Sequence, residues 1–335
     1  MMNLITGGNG QVGYYLIKQL LEKGEKIRVF DLSDSNLSSF KGKIEFVKGD
    51  ITKQEDVKGV TKGVDKIYHT AGVVDPSAKY EFLYNIHVNG TKNILNDALE
   101  STKTHKIKHI INFGSASIYK CNGAPSNESC DIKFNNTYEH TKYLQEQAGY
   151  EFYEKHKLPV TTVRLAMIYG PWGKHSKIDL IKLVAFAKQY NSPCIPLVKG
   201  GKFMVHAVHV EDVAGAVIHL SELDETIGDL YNISDNTPLK IRDLATYLGG
   251  LLSYRKPVVS IPKPLAALGA KLYEFSCKMS KQKPLFKISD LSYICNNFCF
   301  DNNKLLSTGY KLKWPDFLEG MKDVVEYYEK NKLIN

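Results

Sequence analysis

The sequence predicts an α/β fold, a doubly wound parallel sheet with a smaller α+β domain at its carboxyl end. Apolar strands alternate with amphipathic helices through the first half of the chain, which is typical of a parallel sheet covered on both faces. The first strand runs into a glycine-rich turn that opens a helix, as in sheets of the Rossmann type. After Tyr169-Gly170-Pro171 the alternation loosens, and we expect the second domain to begin there.

Each predicted element follows from its local pattern of apolar residues. The predicted strands of the first half are residues 2–6, 26–30, 44–47, 66–69, 109–113 and 160–164, and the helices between them include residues 12–22, 88–101 and 138–155. A strand at 203–208, a helix at 213–220 and a strand at 230–233 are predicted to extend the same sheet. The first domain therefore comprises residues 1–170 with 203–235, and the second comprises 171–202 with 236–335.

The composition is that of a globular chain, with 43% hydrophobic residues and a net charge of +8. The positive excess is almost entirely lysine, spread along the chain and not clustered with aromatic residues, which predicts a solvated surface and no nucleic-acid partner. No leader-like segment precedes the first strand, and no apolar run approaches the ~20 residues of a membrane span. We therefore expect a cytoplasmic protein without a membrane span.

The residues that commonly bind metals do not form a recognisable ligand set. The six cysteines are Cys121, Cys130, Cys194, Cys277, Cys295 and Cys299. They show no disulfide framework, and Cys295-x-x-x-Cys299 lacks the second pair that a zinc site needs, so we expect reduced thiols. His206 and His209 are three residues apart on a predicted strand, which does not place them on one face. The sequence thus predicts no metal.

The glycine-rich turn Gly7-Gly8-Asn9-Gly10-Gln11-Val12-Gly13 is a place to bind a pyrophosphate, because bare backbone N–H groups and a helix N-terminus face the ligand. Asp31 ends the second strand about twenty residues later, where an acid accepts hydrogen bonds from the adenosine ribose and repels a 2′-phosphate. The alternative is a structural turn with a chance acid. The predicted cofactor is NAD, and the predicted cofactor-binding residues of this region are Gly7, Gly10, Gln11, Val12 and Asp31.

A tyrosine and a lysine four residues apart, Tyr138 and Lys142, share one face of a predicted helix. The same spacing occurs at Tyr14/Lys18, Tyr153/Lys157 and Tyr328/Lys332. Position distinguishes them, since only Tyr138 follows a strand that ends in a hydroxyl-bearing turn. Ser115, or alternatively Ser117, lies in that turn and is expected to hydrogen-bond the substrate oxygen.

These groups suit the removal of a proton from a secondary alcohol while its hydride leaves. A tyrosine with a pKa of about 10 is mostly protonated at neutral pH, and lowering that pKa by about three units takes about 4 kcal/mol. The ammonium of Lys142 and the positive ring of the cofactor are the expected sources, because nearby positive charge favours the phenolate.

The motifs together resemble the extended short-chain dehydrogenase/reductases of the NAD-dependent epimerase/dehydratase group, over almost the whole chain. They are the glycine turn, Asp31, Gly49-Asp50-Ile51, His69-Thr70-Ala71-Gly72, Gly90-Thr91 with Asn93, Ser115, Tyr138/Lys142, Tyr169-Gly170-Pro171, the 208–214 segment and the 230–234 segment. The resemblance implies that Tyr138 is the base and that Lys142 holds the nicotinamide ribose. It further implies cofactor contacts at Asp50, Ile51, Ala71 and Tyr169 and a homodimer formed by helices 88–101 and 138–155.

Departures from the family pattern concern the substrate. Met167 stands where an asparagine is usual in members that act on nucleotide sugars, and Val205 or His206 stands near the place of their arginine. His87 replaces a usual asparagine. The predicted substrate contacts are Ser115, Ser117, His87, Met167 and His206, and the pattern resembles the hydroxysteroid-dehydrogenase and dihydroflavonol-reductase branch.

These observations predict an NAD-dependent oxidoreductase that interconverts a secondary alcohol and a ketone. One alternative is a nucleotide-sugar epimerase or dehydratase, such as one resembling UDP-glucose 4-epimerase, with tightly bound NAD. Another is a non-catalytic dinucleotide sensor, against which the presence of Tyr138 and Lys142 argues. The partners expected are a small-molecule substrate and a second copy of the chain.

One segment has no place in this chemistry. Residues 262–281 form a lysine-flanked amphipathic helix in the sequence pattern. We expect it to cap the smaller domain. The alternative is that it contacts a membrane surface or an apolar ligand.

Overall fold

The computed structural model describes residues 1–120, 123–172, 180–280, 284, 291 and 295–334. Cys121 and Lys281, which the sequence analysis considered, lie outside these residues. Among the helices that are described, none has the length and apolar character needed to cross a lipid bilayer.

The described chain contains thirteen strands and eleven α-helices. The strands are β1 (Met2–Thr6), β2 (Lys26–Asp31), β3 (Glu45–Lys48), β4 (Lys66–His69), β5 (His109–Ser115), β6 (Val160–Leu165), β7 (Met167–Tyr169), β8 (Ile195–Val198), β9 (Met204–Val205), β10 (Ala207–His209), β11 (Leu230–Ile233), β12 (Leu239–Lys240) and β13 (Val258–Ile261). The helices are α1 (Gln11–Glu22), α2 (Gln54–Val57), α3 (Tyr80–Tyr84), α4 (Gly90–Ser101), α5 (Thr137–His156), α6 (Leu180–Gln189), α7 (Val210–Leu220), α8 (Ile241–Leu251), α9 (Lys263–Met279), α10 (Asn303–Ser307) and α11 (Phe317–Lys330).

A seven-stranded parallel sheet, in the order β3-β2-β1-β4-β5-β6-β11, forms the centre of the fold. The chain leaves β1 toward β2 on one side and returns to β4 on the other, so the strand order reverses beside β1. In such sheets ligands bind outside the carboxyl ends of the strands at this reversal. The predicted doubly wound sheet is confirmed, including the late addition of β11, which pairs with β6.

Both faces of the sheet are buried, because successive residues of a strand point to opposite sides. In β1, Ile5 packs in an apolar cluster with Leu16 and Ile17 of α1. Its neighbour Leu4 packs in a separate cluster with Ile94 of α4. A third cluster lies outside the sheet and joins residues of α6, α8 and α11. The two-domain division stays a prediction.

The predicted strand at 203–208 is wrong as an addition to the main sheet. It divides at His206 into β9, which pairs antiparallel with β12, and β10, which pairs parallel with β7. The division follows from the side chain of His206, which is buried and bonded to Asp235 and to the backbone of Phe300. The apolar run in the sequence does not reveal this polar anchor.

The predicted helix at 88–101 begins earlier in the structure. A short helix α3 leads through a π-helical turn, Asn85–Asn89, into α4. The turn carries His87, whose side chain is buried. A π-helical turn holds one residue more than an α-helical turn, and such turns are frequent at functional sites. This one contains His87, which is a predicted substrate contact.

Candidate functional site

The backbone of the glycine turn leaves no room for side chains at Gly7 and Gly13. Gly7 has a φ of +73°, and a Cβ atom there would lie 2.7 Å from the Cα of Ala71. A Cβ on Gly13 would lie 2.4 Å from the carbonyl oxygen of Gly7. Gly10 precedes α1, and no side chain caps the N-terminus of that helix. The first N–H groups of Gln11 and Val12 therefore suit a phosphate, and the cradle fits the pyrophosphate of NAD.

Asp31 lies against this turn at the carboxyl end of β2. One oxygen of its carboxylate accepts the backbone N–H of Asn9 at 2.9 Å, and the other accepts that of Ser33 at 3.4 Å. The side chain of Asn9 in turn accepts the N–H of Asn36 at 2.8 Å. The carboxylate is thus fixed beside the phosphate cradle, where an adenosine ribose is expected.

Titration of the two cofactors tests the role of Asp31. The chain should bind NAD more tightly than NADP by about 1–3 kcal/mol, or roughly 5- to 150-fold, because a 2′-phosphate would meet the Asp31 carboxylate. Asp31→Asn should remove most of this preference. Asp34→Asn, in the same loop, is the matched control and should keep it. Equally tight binding of both cofactors to the unaltered chain would contradict the assignment.

Two of the residues that the resemblance implies as cofactor contacts, Asp50 and Ile51, lie after β3. The side chain of Asp50 accepts hydrogen bonds from the N–H and the hydroxyl of Thr52, at 2.9 and 2.8 Å. Ile51 is buried, and its carbonyl accepts the side-chain amide of Asn93 at 2.9 Å. Asn93 thereby ties α4 to this turn.

A buried hydrogen-bond network connects the strand ends to α4 and its neighbours. The Thr6 hydroxyl donates to Nδ1 of His69 at 2.8 Å and accepts the N–H of Ala71 at 3.3 Å. Nε2 of His69 donates to Thr91 at 2.9 Å, because the Thr91 hydroxyl is itself committed to the carbonyl of His87 at 2.6 Å. Burial, with a smaller contribution from Lys142, lowers the pKa of His69 to about 3. His69 is therefore a neutral, fixed spacer.

His87 continues this network toward α5. Its Nδ1 donates to the hydroxyl of Thr141 at 2.9 Å, since that hydroxyl donates to the carbonyl of Tyr138 at 3.1 Å. Its Nε2 then accepts the N–H of Val73 at 3.2 Å. Burial lowers the pKa of His87 to about 3, and its ring edge lies against Tyr138, with ring centroids 5.7 Å apart. Its predicted substrate contact stays a prediction.

Ser115 and Tyr138 come together at the carboxyl end of β5. Asn136 caps α5 by accepting the N–H of Glu139 at 2.9 Å, and this cap places Tyr138 in the first turn of the helix. The side chains of Ser115 and Tyr138 hydrogen-bond, and the Ser115 and Ser117 hydroxyls lie 2.9 Å apart. Burial raises the pKa of Tyr138 to about 12, although the bond with Ser115 lowers it. The phenol is therefore protonated at neutral pH without a bound cation.

Lys142 lies one turn further along α5 and is buried. Its ammonium donates to the carbonyl of Phe113 and to the side chain of Gln145, the latter at 2.6 Å. Gln145 is held in turn by Asn112 of β5 at 3.1 Å. Burial lowers the pKa of Lys142 to about 8. The effect of Lys142 on the pKa of Tyr138 stays a prediction.

A buried ion pair that the sequence did not predict lies beneath this site. Two nitrogens of Arg164 donate to one carboxylate oxygen of Glu146, at 3.0 and 2.9 Å. The other oxygen accepts the backbone N–H of Ser115 at 3.4 Å. Glu146 lies four residues after Lys142 on the same helix face, which was the available signal. The pair joins β5, β6 and α5 below the serine.

Two further residues predicted to contact the cofactor, Gln11 and Tyr169, lie on either side of the segment after β7 and contact different parts of the protein. The Gln11 side chain donates to the carbonyls of Gly170 and Pro171, at 3.1 and 2.9 Å, and joins the glycine turn to the segment after β7. The ring of Tyr169 packs instead against Phe317 and His209, with centroids 4.6 and 5.1 Å away. Burial raises the pKa of Tyr169. Its predicted cofactor contact stays a prediction.

Met167 and His206 stand near the positions where nucleotide-sugar enzymes carry their asparagine and arginine, and both side chains already have partners within the protein. Met167 lines an apolar cavity of about 20 Å³, which is room for one water molecule. His206 accepts the N–H of Phe300 on Nδ1 and donates from Nε2 to Asp235, both at 2.9 Å. A substrate would have to displace these bonds. Within the described residues, no three histidine, cysteine or acidic side chains are grouped to bind a metal.

Comparison with known proteins agrees with this geometry. The model of the family described as "NAD dependent epimerase/dehydratase family" matches residues 3–234. Uncharacterized protein y4nG of Sinorhizobium fredii is 28% identical over 80% of this chain and 65% of its own length. This chain therefore spans about two thirds of that relative. Sterol-4-alpha-carboxylate 3-dehydrogenase, decarboxylating, of Bos taurus is 27% identical over 77% of this chain and 72% of its own.

A solved structure supports the fold. The dTDP-glucose 4,6-dehydratase DesIV from Streptomyces venezuelae, with NAD and TYD bound, matches with a TM-score of 0.77. The match covers 99% of this chain and 98% of DesIV at 20% identity. At that identity the likeness concerns the fold and not the substrate.

Proposed function

Because the chain belongs to the NAD dependent epimerase/dehydratase family, we propose that this NAD-dependent enzyme interconverts a secondary alcohol and a ketone on an apolar, hydroxysteroid-like substrate. The observation that carries the proposal is the hydrogen-bonded pair Ser115 and Tyr138 at the carboxyl end of β5, at the same edge of the parallel sheet as the glycine turn. An epimerase uses the same pair, so this pair does not distinguish the substrate class.

The side chains have distinct tasks in the proposed reaction. NAD supplies the hydride acceptor when it is bound. Tyr138 takes the proton of the substrate hydroxyl, or returns it to the ketone oxygen in the reverse direction. Ser115 donates a hydrogen bond to that oxygen and holds it against the Tyr138 hydroxyl. Since burial raises the pKa of Tyr138 to about 12 even with the bond to Ser115, the base needs positive charge nearby when it acts. Lys142 supplies part of it.

The substrate end of the site supports an apolar ligand. Met167 offers no hydrogen bond to a diphosphate, and Val205 is buried in the third cluster. His206 is committed to Asp235 and Phe300. The relative from Bos taurus named for a sterol substrate supports the same class.

Binding measurements test whether the site takes an apolar substrate or a nucleotide sugar. Hydrogen bonds that involve a charged group are worth ~1.5–3 kcal/mol each, so losing two costs about 3–6 kcal/mol. That is a factor of about a hundred to tens of thousands in affinity.

Calorimetry on the NAD-loaded protein should therefore detect no tight binding of UDP, UDP-glucose or dTDP-glucose. A panel of 3-hydroxysteroids should reduce NAD to NADH, followed by absorbance. Micromolar binding of any of the nucleotides would favour the epimerase or dehydratase.

A further inference from the structure

Helix α9 carries an apolar stripe that the protein leaves exposed. The side chains of the stripe are Leu265, Leu268, Leu272, Phe275 and Met279, and each is 54–72% exposed. Their spacing of three and four residues places them on one face of the helix. At 1.5 Å per residue the stripe is about 20 Å long.

The opposite face of α9 rests on the protein. Ala270 and Cys277 are the buried residues of this helix. At 100° per residue both point away from the stripe, so the helix is seated on a narrow face of small side chains. The predicted role, a cap over the smaller domain, accounts for this face but leaves the stripe without a partner among the residues that the structure describes. Contiguous exposed apolar surface of this kind marks an interaction site.

The charge around the stripe indicates what covers it. Lys271 and Lys278 are exposed and border one edge of the stripe. Within α9 itself, three lysines stand against one acidic residue; they are Lys263, Lys271 and Lys278, and the acid is Glu274. A second copy of the chain would bring its own lysines close to these, which is unfavourable. Anionic headgroups would pair with them instead.

We propose that α9 binds the surface of a bilayer that contains anionic phospholipids. The helix lies parallel to the surface with its apolar stripe at the boundary between headgroups and acyl chains, and its lysines stay with the headgroups. No described helix has the length and apolar character to span a bilayer, so the contact is peripheral.

Co-sedimentation of the full chain with vesicles tests the proposal. We expect binding to vesicles of phosphatidylcholine with phosphatidylglycerol, at least tenfold weaker binding to phosphatidylcholine alone, and release by high salt. Leu268→Glu with Phe275→Glu should abolish binding. Lys271→Gln with Lys278→Gln should weaken it roughly 20- to 30-fold, since each lysine near the surface contributes about fivefold. Leu333→Glu is the matched control, because Leu333 is 51% exposed but lies outside α9.

Two further measurements test whether another part of this chain, or a second copy of it, covers the stripe instead of a membrane. If the double glutamate variant has a lowered thermal midpoint, another part of this chain covers the stripe. If it converts a dimer to a monomer in light scattering, a second copy covers it. Either result would overturn the proposal, as would wild-type protein that ignores anionic vesicles or variants that bind them unchanged.

Discussion

Replacing Tyr138 with Phe should lower the turnover number by about 10²–10⁴, because the hydroxyl performs the proton transfer and the ring is otherwise structural. The ring packs near His87, with centroids 5.7 Å apart, and Phe keeps this packing. The thermal midpoint and the affinity for NAD should therefore change little. Steady-state kinetics, thermal unfolding and NAD titration on the same preparation measure the three quantities.

Two tyrosines with the same lysine spacing provide matched controls. Tyr14→Phe and Tyr153→Phe remove a hydroxyl that also precedes a lysine by four residues, but neither tyrosine belongs to the pair at the end of β5. Both variants should keep wild-type turnover. A Tyr138→Phe variant with wild-type rates would show that the base is elsewhere.

The sheet and the glycine turn were predictable because their signals are local. Alternating apolar strands and helices determine a parallel sheet. The turn requires glycines for local reasons, since Gly7 has a φ of +73° and a Cβ on Gly13 would lie 2.4 Å from the carbonyl oxygen of Gly7. Tyr138 and Ser115 could be paired because a strand end and the following helix start are forced to one edge of the sheet. Once Tyr138 is placed at this edge by its position after β5, Lys142 follows from helix periodicity.

The parts that were not predictable depend on contacts between distant segments. The strand at 203–208 looks continuous, and only the meeting of His206 with Asp235 and Phe300 divides it. The pairing of Glu146 with Arg164 joins a helix to a strand, and the helix periodicity that places Glu146 on the face of Lys142 does not identify its partner on β6. The exposure of the stripe on α9 is likewise a property of the whole fold, since the same helical pattern suits burial.

Replacing Arg164 with Met should destabilise the protein by about 3–5 kcal/mol, because it leaves the carboxylate of Glu146 buried without its partner. Both side chains of the pair are about 5% exposed, so water cannot replace the guanidinium. Denaturant unfolding of the NAD-free protein measures the loss. Since Glu146 also accepts the N–H of Ser115, a variant that still folds should bind NAD but turn over more slowly.

The double variant Arg164→Met with Glu146→Leu distinguishes a lost partner from a lost packing contact. Removing both charges removes the buried unpaired carboxylate, so the double variant should recover much of the stability that Arg164→Met loses. Glu151→Gln is the matched control on the same helix, because its ion pair with Lys155 is exposed and should leave the free energy of unfolding nearly unchanged. If the double variant were no more stable than Arg164→Met, the lost free energy of unfolding would come from the contact of Arg164 with Tyr119. The guanidinium carbon of Arg164 lies 4.7 Å from the centroid of that ring. The charge pair would then have no measurable role in holding β5, β6 and α5 together.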